Sequence, residues 1–317
     1  MANARRSLPQ LEGGLFLTDG GMETTLIFHD GVELPHFAAF TLMRDKAGRA
    51  AIAKYFEPYL RIAQERGCGF ILETPTWRAS RDWGDKLGYS RADLADVNRR
   101  SIELMYDIKA GRADSVAPIV VSGALGPRGD GYDPGLIMSR SEAADYHADQ
   151  IEALASAGAD VVSAFTMTNA TEAIGIVDAA RAAGIPAVIS FTLETDGRLP
   201  TGQSLEDAIL EVDGATGAYA AYFMINCAHP SHFDQRLAAG GDAMQRVRGI
   251  RANASRRSHQ ELNDAADLDA GNPEELGLEY RELLRRNPQI IVLGGCCGTD
   301  HRHVGEIGKA CCGRVSA

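Results

Sequence analysis

The sequence predicts an α/β fold, a single-domain (β/α)8 TIM barrel, from three features. Eight short apolar runs rich in β-branched residues are spread along the chain, and segments with helical periodicity or helix-capping residues lie between them. No Pro/Ser-rich linker or compositional break divides the 317 residues. Alternating strand and helix signals specify βα units feeding a parallel sheet. Eight such units in one undivided chain favour closure into a barrel over an open sheet, so residues 1–317 read as one barrel domain.

The first run, Leu15 to Asp19, leads into Gly20, Gly21 and Met22. After it, Ile52, Tyr55, Phe56, Tyr59, Leu60 and Ala63 recur at helical spacing, with Pro58 expected to kink the helix and Gly67 to end it. Cys68, which reads as a core residue, precedes the second run, Phe70 to Thr74. Ser90 with Asp93, Ser139 with Glu142 and Ser204 with Asp207 are N-cap oxygens followed three residues later by an acid, so each starts a helix. Between and beyond them fall Pro118 to Ser122, Asp160 to Ala164, Ala187 to Phe191, Tyr222 to Cys227 and Gly249 to Asn253. The polar stretch Arg251 to Gly271 is expected to combine a strand's loop with an irregular lid. Asn272, Pro273 and Glu275 begin the next helix, with proline at the first position, where its missing N–H costs nothing. The eighth run is Ile290 to Gly294.

Hydrophobic residues make up 45% of the chain and charged residues 24%, enough for a large core and against disorder. A formal charge of −11 repels phosphate backbones and anionic lipid, which excludes nucleic-acid and membrane-surface partners and leaves small molecules. The start, MANARRSLPQLEGG, has Arg5 and Arg6 but no apolar stretch behind them, and no segment reaches the length of a membrane span. A cytoplasmic protein is expected, and a homo-oligomer is compatible with this.

Six cysteines are too few for a disulfide scaffold in a chain this long. Cys227 ends the sixth strand in YFMINC, and Cys296 and Cys297 follow the eighth in IIVLGGCCGT. Strand ends share one face of a barrel, so the three thiols can converge. Three thiolates suit a soft tetrahedral zinc whose fourth position stays open for a substrate thiol. Such a zinc is a weak Lewis acid but holds a substrate thiol as a nucleophile, which favours alkyl transfer over hydrolysis. A buried cysteine is by default a small hydrophobe. Here Gly294, Gly295 and Gly298 around the pair require close backbone approach or unusual dihedrals, which weighs toward a built site. Cys311 and Cys312, in ACCGRVSA, read as incidental because nothing is expected to position them.

GGCCGT with His303-Val304 downstream, Asn226-Cys227, and Asp19-Gly20-Gly21-Met22 after the first strand resemble the homocysteine S-methyltransferase family over nearly the whole chain. That family includes betaine–homocysteine and S-methylmethionine–homocysteine methyltransferases and the homocysteine domain of cobalamin-dependent methionine synthase. The resemblance implies a (β/α)8 barrel with zinc held by Cys227, Cys296 and Cys297, an amino-acid pocket lined by Asp19, Gly20 and Gly21, and Asn226 supporting the metal site. It implies methyl transfer from a small donor of the S-methylmethionine, S-adenosylmethionine or betaine type to the thiol of homocysteine, giving methionine. The length leaves no room for a cobalamin module, and no glycine-rich dinucleotide fingerprint is present.

Three positions depart from the family pattern. Many members carry a glutamate after the fourth strand for the substrate's amino group, whereas ADVVSAFTMT places Phe165 there. Glu73, with Thr74 beside it in ETPTWRAS, brings a carboxylate to the second strand's end, to serve the ammonium or simply to cap a loop or pair with Arg78. Glu23 stands where glycine is common. Trp77 and Phe165 are either ordinary packing or a cation–π lining for a cationic donor. His303 reads as a capping or supporting group beside the metal motif, and His229 and His301 are unassigned. A methyltransferase for another thiol or selenol, and a non-catalytic zinc or redox-sensing protein, are the competing functions.

Overall fold

The computed structural model describes residues 8–112, 118–265 and 267–313. The reading made for Arg5 and Arg6 lies outside them.

Eight parallel strands close into a barrel in sequence order. They are β1 (Phe16–Leu17), β2 (Gly69–Glu73), β3 (Ile119–Leu125), β4 (Val161–Met167), β5 (Ala187–Phe191), β6 (Tyr222–Asn226), β7 (Val247–Ala252) and β8 (Val292–Gly295). Closure is carried by β1, where Phe16 pairs with Gly69 on one side and Val292 on the other. Each predicted run is a strand. β3 and β4 extend three residues beyond their β-branched stretches: Gly123 to Leu125 are buried and paired, and Phe165 and Thr166 form an irregularity before Met167 pairs with Phe191.

The helix Lys46–Arg66 buries Ile52, Tyr55, Phe56, Tyr59, Leu60 and Ala63 and ends at Gly67 with φ 66°. It continues through Pro58 as one helix where a kink was expected. Ser90 and Ser139 form reciprocal capping boxes with Asp93 and Glu142. Ser204 accepts the Asp207 N–H, and Asn272 accepts those of Glu274 and Glu275. Caps of this kind contribute roughly 1 kcal/mol each.

Alternation along the strands divides the core in two. One cluster packs the outer faces of the strands against the helices. The other fills the lower barrel with Leu8, Phe16, Ile71, Val120, Val161, Val188, Tyr222 and Val292. From the short helix Pro9–Glu12, Gln10 donates to the Tyr222 hydroxyl at 3.2 Å and completes this floor. Above it the inward positions turn polar: Glu73, Ser122, Ser163, Ser190, Asn226 and Arg251, all buried. Arg251, within the predicted seventh run, is a strand residue paired with Asn226 in the sheet, so the polar stretch expected to form loop and lid begins after it. The lid itself is present as the loop after β7 with one short helix, His259–Asn263. Among the described residues no helix is long and apolar enough to cross a membrane.

Candidate functional site

Cys227 follows β6, and Cys296 and Cys297 follow β8, so two strands with only β7 between them deliver three sulfurs to the C-terminal mouth. Their ligand atoms all lie within 4.8 Å of one another. The Cys227 and Cys296 sulfurs are in direct contact, and Cys227 and Cys297 are 3.8 Å apart. Two sulfurs bound at about 2.3 Å across a tetrahedral angle are separated by about 3.8 Å, so the donor set and the Cys227–Cys297 spacing fit a thiolate-bound zinc, while Cys227 and Cys296 stand closer together than two such ligands would.

The backbone is shaped around the cysteines. A Cβ on Gly21 would lie 2.6 Å from the Cys296 carbonyl oxygen, and one on Gly294 would collide with the Thr18 hydroxyl. Only glycine allows the β1 and β8 ends to mesh this closely. Cys227 has φ 52° and Thr166 φ 61°, conformations that cost about 1–3 kcal/mol and persist only when surroundings enforce them. Asn226 does the enforcing at Thr166. Its Oδ1 accepts from the Thr166 N–H at 2.8 Å and the Ser190 hydroxyl at 2.6 Å. Its Nδ2 donates to Thr166 Oγ1 at 2.9 Å and to Cys296 Sγ at 3.8 Å.

Beneath the thiols lies a charged centre of which the sequence reading named only Asp19. Arg251 donates through Nη2 to Asp19 Oδ1 at 2.7 Å and to the Gly20 carbonyl at 3.1 Å, and through Nε to the Gly295 carbonyl at 3.1 Å. Tyr55 donates to the other Asp19 oxygen at 2.9 Å. Asp19 therefore ties β1 to β7 in addition to standing at the mouth. An arginine inside the predicted seventh strand was the available signal, and the sequence reading gave it no part in the site.

Glu73 is 5% exposed, and its Oε2 has no hydrogen-bond partner. Burial pushes its carboxyl up to about 7, against the pull of Arg251 and a hydrogen bond from Ser122. Burial raises the Glu23 carboxyl to about 7 as well, with Asp19 adding to it and Arg78 opposing it. The pairing of Glu73 with Arg78 is not made. Arg78 reaches the His36 carbonyl and Asp130 and stacks against Trp77 and Trp83. Thr74 also stays out of the cluster, bonding to Thr76 and the Ala124 N–H at the strand end. Phe165 is buried with the Arg251 guanidinium 5.0 Å from its ring centre, so its cation–π partner is the protein's own arginine.

Two residues that sequence did not single out touch the cysteines. The Tyr132 hydroxyl lies 3.4 Å from Cys297 Sγ. His259 Nε2 donates to the Cys227 carbonyl at 2.6 Å. Burial raises the Cys297 thiol, and the Tyr132 bond lowers it. His303 instead caps the helix His301–Cys311 through Asp300 and donates to the Ala270 carbonyl at 2.8 Å, and His229 caps Pro230–Ala238.

At the other end of the barrel the sequence reading of Cys312 needs correction. Its sulfur contacts that of Cys68, and both residues are buried. The final helix runs through Cys311 and carries the pair into the core, so it is positioned by packing.

The homocysteine S-methyltransferase family profile matches residues 16–311. Homocysteine S-methyltransferase 4 of Zea mays is 24% identical, over 98% of this chain and 93% of its own. Selenocysteine Se-methyltransferase of Brassica oleracea var. italica is 23% identical, over 96% and 91%. The oxidized form of the homocysteine methyltransferase MmuM from Escherichia coli superposes with a TM-score of 0.77 at 20% identity, covering 97% of this chain and 99% of that one, and its metallated form with 0.72 at 18%, covering 94% and 97%. These structures share the whole barrel. From its first strand to its last helix, the chain belongs to the homocysteine S-methyltransferase family, and it is a methyltransferase.

Proposed function

We propose that this enzyme transfers a methyl group from a small cationic donor of the S-methylmethionine, S-adenosylmethionine or betaine type to the thiol of homocysteine, giving methionine, with zinc held by Cys227, Cys296 and Cys297. The observation that carries the reading is the convergence of these three sulfurs at the mouth of a barrel of this family. Bound there, zinc supplies a thiol held as its nucleophilic thiolate at neutral pH. The chain's own residues do the rest. Asn226 and Tyr132 orient Cys296 and Cys297, while Arg251 supplies positive charge beneath the thiolates. Asp19, Gly20, Gly21 and Phe165 line the acceptor pocket, with Glu73 at its β2 edge and Thr74 holding that edge through Thr76 and Ala124. Glu23, whose carboxyl burial raises to about 7, stands within electrostatic reach of Cys297. The barrel walls align sulfur and methyl carbon for direct displacement. The reaction needs neither nucleic acid nor membrane and belongs in the cytoplasm.

The test is methyl transfer across a panel of thiols and donors, with zinc content measured alongside. Turnover with homocysteine is expected. Turnover of another thiol or selenol with none for homocysteine would replace it with the second reading, which the Phe165–Arg251 contact favours because no acid stands at that position. A non-catalytic zinc or redox sensor would bind metal but admit no substrate thiol to its coordination shell.

A further inference from the structure

Two loops from different strands meet over the thiols. In the loop after β3, Tyr132 stacks on His259 of the loop after β7, with ring centres 3.9 Å apart and planes 16° from parallel. The stack is anchored at both ends. His259 Nδ1 lies 3.1 Å from Glu194 Oε1 in the loop after β5, while its Nε2 holds the Cys227 carbonyl. On the other side the Tyr132 N–H donates to Asp130 Oδ1 at 2.8 Å, and Asp130 pairs with Arg78. Gly131 lets the loop lie flat, since a Cβ there would come within 2.8 Å of Thr166 Cγ2. The loop's tip, Leu136 and Ile137, stands in solvent, so its grip on the site comes through Tyr132 and its neighbours.

We propose that Tyr132 is a positioning residue for the thiol site: its hydroxyl orients Cys297, and its ring, stacked on His259, clasps the β3 and β7 loops over the cysteines. The two roles use different atoms and separate cleanly. Tyr132→Phe removes the bond to sulfur and keeps the stack, whereas Tyr132→Ala removes both. The orientation role rests on the zinc reading above; the clasp does not.

Two measurements decide the matter. In reduced, metal-free protein, N-ethylmaleimide alkylation of Cys297, followed by peptide mapping, is expected to run no faster than wild type in Tyr132→Phe, which keeps the stack, and at least about fivefold faster in Tyr132→Ala or His259→Ala. Equal rates in all four proteins would overturn the clasp. In zinc-loaded protein, Tyr132→Phe is expected to yield its metal to a chromophoric chelator about tenfold more readily and, with cobalt(II) substituted, to shift the sulfur-to-metal charge-transfer band. Unchanged metal retention and an unchanged band would overturn the orientation role. A wild-type protein that takes up neither metal would overturn the zinc reading and the orientation role together, and the alkylation rates would still decide the clasp.

Discussion

Each end of the barrel carries a Cys-Cys doublet facing a distant third cysteine, and the two ends have almost nothing else in common. At the mouth, three sulfurs gather with an amide N–H on one, a hydroxyl on another and a guanidinium below. At the opposite end Cys68 and Cys312 touch within the apolar cluster, and burial pushes the neighbouring Cys311 thiol up to about 12. Among the described residues only the mouth brings three ligand atoms together. A doublet of cysteines is thus neutral in itself. Backbone that meshes around it and polar groups that address the sulfur make it a site.

The sharpest way to break this comparison is to exchange thiols for hydroxyls at both ends. Serine at Cys227, Cys296 or Cys297 is expected to lower methyl transfer by more than about a thousandfold and to abolish zinc uptake by metal analysis. Serine at Cys68 or Cys312 should leave kcat/KM within about twofold. Comparable losses from both ends would sink the distinction.

Next in size is the charged centre. Arg251→Met leaves Asp19 buried without its guanidinium, which is expected to cost about 3–5 kcal/mol in urea unfolding. A loss below about 1 kcal/mol would mean that Asp19 is not held by Arg251 in solution.

Glu73 gives a smaller, pH-dependent effect. The folded chain keeps its proton up to about pH 7, and the unfolded chain only up to about 4.5. Between those values the folded state binds the extra proton, so this contribution to stability is full below the lower value and is lost as pH rises through the upper one. Glu73→Gln should therefore be more stable than wild type by about 1–3 kcal/mol at pH 8, with the gap closing below pH 4.5. A constant difference across this range would show that Glu73 is not desolvated. Smallest of all, Cys312→Ser places a hydroxyl in apolar surroundings and should cost about 1 kcal/mol in Tm-based stability without altering kcat.

Strand positions were legible because period and β-branching are local properties, and β5 has the bounds its sequence predicts. The cysteine trio was legible because strand ends in a barrel share a face. Arg251 was missed for the opposite reason. Its place in a strand was legible, but its partner was not: only the ion pair across the barrel with Asp19, 232 positions away, makes it part of the site. Tyr132 and His259 were invisible for the same cause, since each lies in an irregular loop whose path depends on the other. Cys312 was misjudged because chain ends are usually untethered, whereas here a helix buries its last turn.

Leu8, Phe16, Tyr222 and their neighbours fill the lower barrel, so reactants of the thiol site reach it from the C-terminal mouth. Two reactants that must meet inside pass through the same opening, and whichever binds deeper has to arrive first and depart last. In the proposed reaction the thiol, seated on the cysteines, would be that reactant, with the donor following it and the demethylated donor clearing before the thioether. The expected sign is a compulsory binding sequence in steady-state kinetics, set by a plug of apolar side chains at the far end of the barrel.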